Sequence, residues 1–78
     1  MKDLLVFIAK SLVEHPDCVE VTEIVRDDAT VLELRVHKDD MGKVIGKQGR
    51  IAKAIRSVMK AAAGRENTKA IVDIIDVD

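Results

Sequence analysis

The chain contains no tryptophan or tyrosine, and its one phenylalanine is Phe7. Base-stacking platforms built from successive aromatic side chains, worth about 1–3 kcal/mol per base, are therefore excluded. A single cysteine, Cys18, rules out an internal disulfide. With only His15 and His37 beside it, no structural zinc site is expected. Both histidines are too isolated in the sequence to argue as ligands or bases. No apolar run approaches the roughly 20 residues that span a bilayer. Lys2 and Asp3 follow Met1 with no small-residue cleavage site after an apolar stretch, so no signal peptide is expected and the chain reads as cytoplasmic. Repeats, low-complexity tracts and Gly/Ser linkers are also missing, and 78 residues suit one small domain, 1–78.

What is present is charge, unevenly placed. The net charge is -1. Residues 1–37 carry 4 basic and 8 acidic side chains, residues 38–65 carry 8 and 2, and residues 66–78 carry 1 and 4. A dense cationic segment inside an acidic chain is a local feature that a phosphate backbone can use. Taken alone, it reads more readily as a solvated helix face.

The order of elements follows from periodicity. Met1, Leu4, Leu5, Ile8 and Leu12 recur at helical spacing, predicting a helix over about Asp3–Glu14 with Asp3 as N-cap and Pro16 as its stop. Val6, Phe7 and Val13 fall off that face and form a candidate strip for a partner. Val19, Val21 and Val25 share a strand parity that Glu23 and Ile24 interrupt, pointing to a bulge or a sheet edge. Arg26-Asp27-Asp28-Ala29 has turn chemistry, and Leu32, Leu34 and Val36 alternate with polar residues in a half-buried strand, about Thr30–His37. Asp39 can cap a short helix over 40–45 that Gly46 ends. Ile51, Ile55, Val58, Met59 and Ala62 line a longer helix opposite Lys53, Arg56 and Lys60, with Gly64 as its stop. Ile71–Val77 reads as a last strand whose inward face is undetermined. Three strands with helices on one face make an α+β, two-layer domain of order α-β-β-α-α-β.

The informative stretch is Val44-Ile45-Gly46-Lys47-Gln48-Gly49-Arg50-Ile51, which joins two helices by a four-residue turn. Glycine at both ends permits positive φ and close approach of another backbone. The free N–H groups and positive dipole end of the next helix favour a phosphate. Lys43, Lys47, Arg50 and Lys53 add full charges there. A Walker A loop is excluded, because Gly42 stands three residues before Gly46 and Gln48 replaces the hydroxyl residue. A dinucleotide fingerprint fails at Val44 and lacks a preceding strand. A helix-turn-helix is closer in outline, but it belongs to all-helical modules.

These eight residues resemble the apolar-Ile-Gly-x-x-Gly-x-Ile core of the KH domain, and the element order matches its type II arrangement. Size, His15-Pro16-Asp17 and Arg26-Asp27-Asp28 resemble the small stand-alone bacterial KH proteins called KhpA. In KH domains this loop clamps about four backbone nucleotides of single-stranded RNA. The resemblance implies that Gly46 and Gly49 let the sugar-phosphate chain pass close, and that Lys47 and Gln48 point outward at phosphates. It also implies that Ile45, with members of Leu34, Val36 and Ile51, lines a groove for bases, the other members belonging to the core. The site it implies is Lys43, Ile45, Gly46, Lys47, Gln48, Gly49, Arg50 and Lys53. It further implies self-association, pairing with a second KH protein (KhpB), and an RNA-chaperone role with that partner. No cofactor or metal is implied.

Two classes of function remain, single-stranded RNA binding through the glycine turn and protein interaction or dimerisation through Val6, Phe7 and Val13. An enzyme is not expected, since no nucleophile–base pair, metal cluster or paired carboxylates stand at motif spacing.

Overall fold

The computed structural model describes residues 1–75, with the backbone alone at Lys47. Helix α1 (Lys2–Leu12) leads through a single 3-10 turn at Pro16–Cys18 into strands β1 (Glu20–Val25) and β2 (Thr30–Arg35). Helices α2 (Lys38–Ile45) and α3 (Arg50–Arg65) follow, joined by a 3-10 turn at Lys47–Gly49, and strand β3 (Ala70–Ile75) closes the order. The sheet runs β1-β2-β3, with β2 antiparallel to β1 and parallel to β3. The expected α+β architecture and element order are both found. No helix among the described residues is long and apolar enough to cross a membrane.

The central strand organises the core. Leu32 and Leu34 are fully buried, and they stand level with Val72 and Ile74 on β3. Leu5 and Ala9 of α1 and Ile55 and Met59 of α3 close over them. Each leucine, isoleucine, valine or methionine among them contributes roughly 1.5–3 kcal/mol relative to exposure. Burial settles the face of β3 that the sequence left open. Val72 is buried and Ala70 and Ile74 pack on the core, while Ile71 and Asp73 are exposed on the opposite face. The end of the predicted strand, 76–78, lies outside the described residues.

Several boundaries differ from expectation for identifiable reasons. Leu4, Leu5, Val6, Phe7, Ile8 and Ala9 form an unbroken apolar run, so spacing alone does not fix the rotation of α1. In the fold it turns Leu5 and Ala9 inward and leaves Leu4 and Leu12 exposed. It begins at Lys2, with Asp3 in the first turn rather than at the cap, and ends before Pro16 is reached. Strand β1 has a continuous register from Glu20 to Val25, so the broken alternation reflects an edge and not a bulge. Gly64 lies within α3 instead of ending it. Asn67, at φ 61, makes the stop: its N–H bonds Gly64 O, and Thr68 N–H bonds Ala63 O, the paired bonds of a left-handed helix terminus.

Helix α2 is held at its start by side chains that sequence reasoning assigned otherwise. Its cap is His37, whose Nδ1 accepts the Asp39 N–H at 3.0 Å, and not Asp39. Asp40 is buried, and its two carboxylate oxygens accept the N–H groups of Glu14 and His15 at 3.0 and 3.1 Å. Burial alone would raise the Asp40 pKa, but those two bonds, with His15 and His37 nearby, hold it below the ordinary value. The start of α2 is thereby tied to the connection between α1 and β1.

Candidate functional site

The other end of α2 is built differently. Its last residue, Ile45, is 54% exposed, and Gly46 follows with φ -77 and ψ -178. Gly46 does not need glycine for its dihedrals. It needs the missing side chain, because a Cβ there would overlap the carbonyl oxygen of Gly42 one turn earlier. The turn closes with Gly49 N–H donating to Gly46 O at 2.9 Å. Gln48 and Gly49 both occupy the left-handed region, at φ 63 and φ 71. Positive φ was expected at the two glycines; it occurs at Gly49 and at Gln48 instead. For a residue bearing a Cβ, this conformation costs roughly 1–2 kcal/mol. Gln48 therefore carries local strain at the exposed tip of the turn.

Helix α3 starts at Arg50 with no side-chain cap. Its first N–H groups lack intrahelical acceptors, and the helix dipole places positive potential at the same point. Lys43, Gln48, Arg50 and Lys53 are all exposed around this end. The side chain of Lys47 lies outside the described residues. Among the described residues, no ion pair involves Lys43, Arg50 or Lys53, so their charges face solvent uncompensated. The structure thus brings Lys43, Ile45, Gly46, Gln48, Gly49, Arg50 and Lys53 to one helix-turn-helix junction.

Burial decides which of the groove candidates belong to the core. Leu34 and Val36 are core residues, 0% and 2% exposed, and only Ile45 and half-buried Ile51 remain near the turn. A cleft of about 670 Å³ lies instead along α3 and the free edge of β3, lined by Arg56, Lys60, Gly64, Lys69, Ala70 and Val72. Arg56 donates from Nε to the Val72 carbonyl at 3.3 Å, covering part of an otherwise open strand edge. Lys53, Arg56 and Lys60 stand at three- and four-residue spacings, so one stripe leads from the turn toward this cleft. Sequence reasoning treated Arg56 and Lys60 as solvated surface. Their spacing from Lys53 was legible; their position against β3 was not.

A family model described as KhpA/KhpB, KH domain matches residues 2–74. The chain belongs to this family. Relatives agree over nearly the full length. The RNA-binding protein KhpA of Clostridium perfringens is 60% identical over 75 residues, covering 96% of this chain and 100% of the relative. That of Clostridium acetobutylicum is 61% identical with the same coverage. The protein of that name from Borreliella burgdorferi is 45% identical over 74 residues, covering 95% of this chain and 90% of its own length. No solved structure matches. Within the KhpA/KhpB family frame, the Gly46–Gly49 turn occupies the junction between the second and third helices, in the order expected of a type II KH domain.

Proposed function

We propose that this chain is a cytoplasmic, non-catalytic protein that binds single-stranded RNA at the Gly46–Gly49 turn. One observation carries the reading: an uncapped helix start follows a turn whose Gly46 has no room for a side chain, and cations with no ion pair among the described residues surround both. A phosphate seated at the start of α3 accepts backbone N–H bonds, and Lys43, Arg50 and Lys53 supply charge. The strand then follows the Lys53–Arg56–Lys60 stripe toward the β3 edge. Ile45 offers apolar contact for a base. With no aromatic platform, binding is shape-tolerant, weak per module and strongly dependent on salt. The printed names of the relatives support the RNA-binding class.

The test is anisotropy of a short fluorescent single-stranded RNA. The double substitution Lys47→Asp and Gln48→Asp lowers affinity at least tenfold while circular dichroism stays unchanged. Full affinity in the folded double variant would reject this reading in favour of protein interaction.

A specific surface favours association as a companion property. Phe7 is 70% exposed, Leu4 one helical turn before it is 37% exposed, and Val58 of α3 is 44% exposed. Leu4 and Val58 also line a cleft of about 500 Å³ with Met1, Ala61 and Ala62. Pairing with a second copy, or with a KhpB-like KH protein, would cover this patch and join two weak RNA sites into one of higher apparent affinity. An RNA-chaperone role with such a partner follows from weak, multivalent contacts. Sedimentation of Phe7→Glu tests the surface: the wild type sediments as a dimer and the variant as a monomer. An identical oligomeric state in both removes Phe7 from any interface.

A further inference from the structure

We propose that His15, His37 and Asp39 form a binding site for a divalent transition-metal ion of the zinc class. These residues come from the connection after α1 and from the first turn of α2, 22 positions apart in the sequence for the two histidines. The fold stacks the imidazoles with centroids 4.1 Å apart and an interplanar angle of 26°. Asp39 Oδ2 lies 3.6 Å from His15 Nε2 and 3.5 Å from His37 Nδ1. One ligand atom from each residue falls within 4.8 Å of the other two. Two ligands bound to the same tetrahedral ion at 2.0–2.1 Å are separated by about 3.3 Å, so both histidine–carboxylate spacings need only small closure.

The donor set selects the ion. Two imidazoles and one carboxylate suit zinc, nickel or copper, whereas magnesium and calcium require more oxygen ligands. All three side chains are partly exposed, which leaves a fourth position open to water. Their supports are already in place. Asp40 fixes the backbone of His15 by accepting its N–H, and the first turn of α2 places His37 beside Asp39. Binding exchanges the imidazole stack and the His37 Nδ1 cap bond for two nitrogen–metal bonds, which sets a moderate affinity. The ion would tie the α1–β1 connection to the start of α2, and therefore stabilise the fold by binding only the native state.

The experiment titrates the untagged chain with zinc chloride against a chromophoric competitor chelator, while proton NMR follows both histidine ring signals. One-to-one binding is expected, with both histidine signals shifted and the melting temperature raised. His15→Gln and Asp39→Asn each weaken binding about tenfold or more, and Cys18→Ser leaves it unchanged. Undiminished binding in the folded His15→Gln, Asp39→Asn double variant overturns the proposal. So does loss of binding on Cys18→Ser, equal binding of magnesium, or no binding at millimolar zinc.

Discussion

The two ends of the eight-residue helix α2 obey opposite rules. At its start, His37 caps Asp39, and buried Asp40 receives two backbone N–H groups from another part of the chain. At its finish, Ile45 is exposed, Gln48 is strained and α3 begins without a side-chain cap. A buried carboxylate without those partners would be costly, so the first end is an anchor whose satisfaction is obligatory. Unsatisfied donors in water cost little, so the second end can wait for a ligand. The contrast separates residues that make the helix stay from residues that make it bind.

That separation can be broken most severely at the anchor. Asp40→Ala strands two backbone donors, and the melting temperature falls by about 10 °C or more. At temperatures where both proteins remain folded, RNA affinity stays within about threefold of wild type. Calorimetry and anisotropy on the same samples check both halves; a folded variant that lost RNA binding would show the two ends to be coupled. The next largest effect is at Gly46. Gly46→Ala forces a methyl group against the Gly42 carbonyl, costing about 1–3 kcal/mol in chemical denaturation and abolishing RNA binding, because the turn itself must move. Gly49→Ala meets no neighbouring atom and suffers only its positive φ, about 1 kcal/mol. Equal penalties at the two glycines would show that backbone conformation, and not space, dictates both. Smallest in stability terms is Lys53→Ala, at an exposed residue with no ion pair among the described residues, which leaves the melting temperature unchanged. It lowers the slope of log affinity against log salt by roughly 0.7, one phosphate contact on a single strand.

Much of the fold was legible because it depends on local pattern. Leu32, Leu34 and Val36 alternate at strand spacing, Ile55 and Met59 recur at helical spacing, and two glycines bound a short turn between helices. The rotation of α1 was not legible, since Leu4 to Ala9 is apolar all round and only the sheet chooses Leu5 and Ala9. Nor was the role of Asp40, whose partners Glu14 and His15 are 26 and 25 residues away. Arg56 looked like solvated surface until β3 arrived beside it. Leu34 and Val36 were candidates for both the core and the base groove, and only burial assigned them to the core.

Composition and periodicity alone determined the α+β class, the element order, the absence of aromatic stacking platforms and the segregation of cations around a glycine turn. These are properties of residues within a few positions of one another, where the side-chain period and the backbone freedom of glycine act directly. The tertiary structure decided which faces are buried, why Gly46 has no room for a side chain, and which strand edge Arg56 guards. It also placed His15 against His37 and Asp39. Each of these depends on atoms distant in sequence meeting at van der Waals or hydrogen-bond range, which no local spacing encodes.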